Sequence, residues 1–155
     1  MKQVDQAVSD INALLNQWVG AFVAKDIDGL RKLWDSGYDG LVYQAEEFAA
    51  PLTTWPHIKH YYREVLTKII EKIERWHRTG LWVRVFGDAA YAYATTDFTM
   101  NVRHLTEPYN GTVRQTFVVR KANNDWKIVH YHESLQTMAT PEEFRLDEPD
   151  QSEAS

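Results

Sequence analysis

Two histidines, His130 and His132, stand two apart in an alternating run near the end of the chain. On a strand that spacing puts both on one face. There they can bind a metal with a third ligand, or act as acid and base. No third ligand stands near them in sequence, so packing at the surface or at an interface is the reading taken, with no metal and no cofactor expected. The other face of the same strand carries Val129, Tyr131 and Glu133. Pairing through tight hairpins brings Gln115 and Phe117 beside them, with Gln115 across from Tyr131, and sets Asp97 and Thr99 on the next strand. Two carboxylates, an amide and a phenol then share a concave patch. In a hollow poor in water, Asp97 or Glu133 would be pushed towards the range of a general acid or base. The same two carboxylates can instead pair with Arg103, Arg114 or a rim lysine and only orient the sheet.

Aromatic residues are 13% of the chain, with six Trp and eight Tyr. Trp18, Phe22, Trp34, Tyr43, Trp55, Tyr61 and Tyr62 are candidates to wall a hollow, although rings at helical spacing more often fill a core. Trp18, Tyr43 and Trp55 are the expected ligand-facing walls, with Trp55 at the mouth because it precedes Pro56 at a loop–helix junction. Gln115, Phe117 and Tyr131 complete the expected contacts to a small, partly apolar ligand. His57 and His60 read as a solvated helix face.

The elements that must position these groups follow from periodicity. Apolar residues from Val4 to Phe22 recur at helical spacing. Asp26 caps a short second helix carrying Ile27, Leu30, Leu33 and Trp34. Leu41-Val42-Tyr43 reads as a short strand, and Thr54-Trp55-Pro56 opens a third helix whose apolar stripe runs to Ile69. The period then changes towards two. Four strands are expected, at 73–86 with a bulge near Thr79-Gly80, at 89–103, at 112–121 and at 126–134. Gly87-Asp88 and Asn123-Asn124-Asp125 make the tight turns. Helices followed by an antiparallel meander give an α+β fold: N-terminal helices packed on a strongly curved antiparallel sheet, forming a cone with an internal pocket.

A length of 155 residues suits one domain, expected over 1–140, with an acidic, disordered tail over 141–155. The formal net charge is −5. The last fifteen residues carry six acidic side chains against Arg145 alone, so the rest of the chain is formally neutral. A neutral body leaves no electrostatic footprint for nucleic acid, although Arg75, Trp76, His77, Arg78, Trp82 and Arg84 interleave basic and aromatic residues. The absence of cysteine excludes disulfides and thiolate chemistry. No apolar run approaches the ~20 residues of a membrane span, and the first residues lack a signal-peptide pattern. The expectation is a cytoplasmic protein with no membrane partner.

The run Val85-Phe86-Gly87-Asp88-Ala89-Ala90-Tyr91-Ala92-Tyr93, with Trp126-Lys127-Ile128-Val129-His130-Tyr131-His132-Glu133-Ser134, resembles the nuclear-transport-factor-like superfamily. It is most similar to its SnoaL-like branch and to the association (hub) domain of calcium/calmodulin-dependent protein kinase. The segment from Trp18 to Leu30 resembles the family's first helix and the turn after it. The resemblance implies the cone, its pocket and a homodimer through the outer sheet face. It covers isomerases, cyclases, dehydratases, hydrolases and pure assembly modules, so it implies no single reaction. Steroid-isomerase relatives place a carboxylate base at the end of the first strand. Here that stretch reads Leu41-Val42-Tyr43-Gln44, with Glu46 and Glu47 beyond it, and Trp18 stands at the place of their helix-one tyrosine. The hub's pocket arginines fall on Asp97, Phe117 and Glu133, so a pocket that attracts carboxylates there should repel them here. Two functions follow: a homodimeric binding or assembly domain, or a small cofactor-free isomerase, cyclase or dehydratase using Asp97 or Glu133.

Overall fold

The computed structural model describes residues 2–136. The expected acidic tail lies outside them. The first helix, α1 (Lys2–Val23), buries Ile11, Leu14, Leu15, Trp18 and Phe22 on one stripe. The turn after it runs through Lys25, whose φ is 57°. The Lys25 ammonium donates to the carbonyls of Ile70 at 2.6 Å and Glu71 at 2.9 Å, tying the helix end to the start of the long strands. Asp26 caps α2 (Ile27–Leu33) by accepting from the Gly29 amide at 2.9 Å, as its position before the apolar stripe required.

A short strand, β1 (Val42–Gln44), precedes α3 (Trp55–Glu64). Thr54 occupies the cap of α3 without a side-chain hydrogen bond, and Pro56 takes the tolerated first turn. The apolar stripe does not continue as α-helix to Ile69. Residues Val65–Ile69 widen into a π-helical turn that leads directly into β2 (Ile70–Phe86). The remaining strands are β3 (Ala89–Val102), β4 (Tyr109–Ala122) and β5 (Asp125–Leu135).

The sheet order is β1-β5-β4-β3-β2. The last four strands form the antiparallel meander, and β1 joins the edge parallel to β5, with Tyr43 opposite Tyr131. The sheet is therefore mixed, because β1 arrives from the helical layer and not through a hairpin. Register shifts at three places in β2, one between Arg78 and Gly80, break the regular pairing of the longest strand. Gly87 adopts φ +60°, and Asn123 and Asn124 adopt φ 52° and 66°, the left-handed geometry that two-residue hairpins demand.

The helices cover one face of this sheet. Even-numbered residues of β3 (Ala90, Ala92, Ala94, Thr96, Phe98, Met100 and Val102) are buried there. Ala92 is paired with Phe117, and the Phe117 ring meets Trp18 of α1 edge-on at 5.4 Å. Small side chains on one strand thus leave room for large rings from the helix and the next strand. Among the described residues, no helix is long and apolar enough to cross a membrane.

Candidate functional site

Between the helical layer and the sheet lies a cavity of about 300 Å³. Its inner walls combine aliphatic side chains such as Met100, Val102 and Val113 with rings: Phe22 from α1, Tyr43 from β1, Tyr61 and Tyr62 from α3, Trp76 from β2, Phe98 from β3, Tyr109 from β4 and Tyr131 from β5. The π-helical turn contributes Val65 and Ile69, so the widened turn shapes one side of the opening. The exposed lining residues Glu46, Glu47, Ile69, His104 and Leu105 mark the mouth.

Behind the cavity wall runs a directional chain of hydrogen bonds that ends on Glu133. The Thr96 hydroxyl donates to Gln115 Oε1 at 2.9 Å. Gln115 Nε2 donates to the Tyr131 hydroxyl at 2.9 Å, and that hydroxyl donates to Glu133 Oε2 at 2.5 Å. Each donor faces an acceptor, so the buried polar groups Thr96 and Gln115 are satisfied. Tyr131 is held on three sides: its ring stacks on Trp18 at 5.4 Å and on Tyr43 at 4.8 Å, and Phe117 meets it edge-on at 5.0 Å. Trp18 is in turn fixed by its indole N–H donating to the Tyr62 hydroxyl at 3.2 Å.

Removal from water pushes the Glu133 carboxyl up from 4.5 to about 7; the charges of Glu46 and Glu47 add to the rise, and the Tyr131 hydroxyl opposes it. Burial also raises the phenols of Tyr43, Tyr61, Tyr62 and Tyr131, keeping them protonated. At the mouth, Tyr61 donates to Glu47 Oε1 at 2.7 Å and Tyr109 reaches Glu46 Oε1 at 3.4 Å. Burial and the neighbouring Glu47 raise the Glu46 carboxyl. This arrangement can bind a compact apolar body and present to it one carboxyl that exchanges a proton near neutrality.

The expected site residues divide into three groups. Tyr43, Tyr131 and Glu133 line the cavity. Trp18, Gln115 and Phe117 stand one layer behind, supporting Tyr131. Asp97 and Trp55 are elsewhere. Gln115 pairs with Ala94 and Glu133, and Phe117 with Ala92 and Tyr131, so the even residues of β3 face the cavity. Asp97, an odd residue, lies on the outer face opposite Thr112, whose hydroxyl donates to it at 2.8 Å. The expected pairing of Gln115 with Tyr131 is therefore one step out along the strand, which is two residues and keeps the face. Trp55 is buried beside Trp34 at 6.3 Å and belongs to the core. His130 and His132 face outward, opposite Val118 and Thr116, and burial together with His132 holds His130 below the usual imidazole range. The mouth residues Glu46, Glu47, Tyr109 and His104 were not anticipated as cavity residues. They sit in or beside irregular segments, where no periodicity reports which way a side chain points.

No match to the sequence was found among curated proteins. Solved structures with the same fold include a nuclear transport factor 2-like superfamily protein from Salmonella enterica serovar Typhimurium, 20% identical, covering 88% of this chain and 96% of that one at a TM-score of 0.79. A candidate dehydratase of the same family from Streptomyces avermitilis is 18% identical, covering 86% and 99% at a TM-score of 0.76. A Xanthomonas campestris protein described as a candidate calcium/calmodulin-dependent protein kinase II association domain is 22% identical, covering 83% and 87% at a TM-score of 0.66. At these identities the likeness shows the cone fold. The SnoaL-like domain family matches residues 11–139, and the chain, with its helix-covered sheet and enclosed cavity, belongs to that family.

Proposed function

We propose that this domain binds a small, mostly apolar molecule in the cavity, and that it does so as a homodimer assembled through the outer face of the sheet. The carrying observation is the cavity itself: about 300 Å³ walled by aromatic rings around the Tyr131–Glu133 pair. A purely structural core would be more stable if apolar side chains filled that space and no carboxyl were buried in it. The test is a thermal-shift screen of a metabolite library, since a ligand of the native state raises the melting temperature. Hits should lose their shift when Tyr43→Ala opens the wall, and a screen without any such hit would refute the reading. The assembly part rests on the outer face, where Trp82 and Phe86 are 49% and 64% exposed beside Tyr91.

A second reading has its own support. The Glu133 carboxyl, raised to about 7, is poised to take and return a proton in an isomerising, ring-closing or dehydrating step without a cofactor. Two structural relatives are candidate dehydratases, the second from Novosphingobium aromaticivorans. Once a ligand is known, Glu133→Gln should abolish turnover while binding and fold survive. Full turnover in that variant would leave the binding reading alone standing.

A further inference from the structure

The charges around the cavity have one sign. Glu133 stands inside, and Glu46 and Glu47 stand at the mouth. Among the described residues no lysine or arginine lines the cavity, and His104, exposed at the mouth, is the only lining group that can become positive. None of the three carboxylates takes part in a salt bridge among the described residues. The phenols that face them stay neutral because burial holds their protons on. The rings are therefore neutral π systems, in a space that also holds three acidic groups. Both features attract a positive charge and repel a negative one. A bare metal ion does not fit the surroundings, because among the described residues no group of three or more His, Asp or Glu side chains is placed to hold one. The surface that would contact the occupant is mostly apolar, rings and aliphatic side chains together.

We propose that the ligand of this cavity is a small organic cation, a protonated amine or quaternary ammonium carried on an apolar body. The proposal rests on the reading of the cavity as a ligand site and names the ligand's chemical class. The body packs against Tyr43, Trp76 and Phe98, while the ammonium lies beside the Tyr61 ring within reach of Glu133 and the mouth carboxylates. Binding of the cation favours the ionised form of Glu133. Affinity therefore rises with pH as Glu133 loses its proton, with Glu46, Glu47 and His104 the other ionisable side chains at the mouth; the phenols of Tyr43, Tyr61, Tyr62, Tyr109 and Tyr131 stay neutral throughout.

Isothermal titration at about pH 8, where Glu133 is ionised, tests this with three probes that share a phenyl ring and a short arm: 2-phenylethylamine, 2-phenylethanol and phenylacetate. The expected order is the protonated amine about tenfold or more tighter than the alcohol, as for a desolvated cation–π contact, with phenylacetate weakest. Glu133→Gln should weaken the amine severalfold and narrow its lead over the alcohol, since only the rings and the mouth carboxylates then favour the charge. Should that variant fail to fold, Glu47→Gln at the mouth carries the same comparison with a smaller loss. Equal or tighter binding of the alcohol or of phenylacetate overturns the cation proposal and leaves the ligand site standing. Amine binding unaffected by both substitutions places the cation on the acidic surface and overturns it as well. No binding of any probe overturns both the cation and the ligand site.

Discussion

Glu133 is the residue on which the site turns, and its position makes a stability prediction. Its folded-state pKa lies above its unfolded value, 4.5 against about 7. The native state therefore binds the proton more tightly, and stability from this group is fully present below about pH 4.5 and lost as pH rises through about 7. At ~1.4 kcal/mol per unit the loss amounts to about 3 kcal/mol. Glu133→Gln, always neutral and still an acceptor for Tyr131, should be more stable than wild type at pH 8 by up to about 3 kcal/mol and equal to it near pH 4. Urea unfolding at both pH values measures this; an equal stability difference at both would refute it. Tyr131→Phe acts the other way. It leaves Gln115 Nε2 without its acceptor and Glu133 without its donor. A loss of about 1–3 kcal/mol is expected, and a carbon-13 NMR titration of Glu133 should show its pKa move higher still. The sequence made Tyr131 and Glu133 legible because alternation on one strand is a local property. Asp97 was misplaced because its face depends on the register between β3 and β4, which no single strand contains.

At the scale of elements, the hairpins and one bulge decide what the cavity sees. Val129 is an extra residue in β5: Val118 pairs with His130 and Val119 with Ile128. The bulge lies on the turn side of Tyr131, so it shifts Trp126–Ile128 and leaves Tyr131 and Glu133 opposite Phe117 and Gln115. The turn that sets this register holds Asn124 at φ 66°. Asn124→Val forces a β-branched residue into left-handed backbone and should cost about 1–2 kcal/mol, read as a lower urea midpoint. Across the layers, α1 docks through Trp18, 1% exposed. Trp18→Ala should cost about 3–5 kcal/mol and loosen Tyr131, since it removes one of the rings stacked on it. The helices and hairpin turns were legible because capping and turn chemistry are written in adjacent residues. The π-helical turn at Val65–Ile69 was not, because an extra residue in one turn leaves the apolar spacing close to that of an α-helix.

The whole molecule presents a sheet with two unlike faces. The inner face is covered by helices. The outer face aligns Trp82, Tyr93, Thr116 and His132 in one cross-strand row and Arg84, Tyr91, Val118 and His130 in the next. Rings in contact, the exposed Trp82 with the half-buried Tyr93 at 5.5 Å and the exposed Phe86 with Tyr91 at 5.9 Å, form a patch that a second copy would cover. Light scattering at micromolar concentration should give a dimer, and Tyr91→Arg, which adds a second positive charge beside Arg84 in this patch, should give a monomer. A wild-type monomer would refute the assembly.

The sequence by itself determined the element order, the α+β class, the family resemblance and the face shared by Tyr131 and Glu133. These follow from period, caps and turns, which are local. Only the tertiary structure decided the rest: the parallel docking of β1, the outward face of Asp97, the retreat of Trp55 into the core, and the arrival of Glu46, Glu47 and Tyr109 at the mouth. Each of these depends on register between strands or on the path of a loop. Register is set by packing between residues far apart in the chain, and a loop's side chains are aimed by what the loop covers.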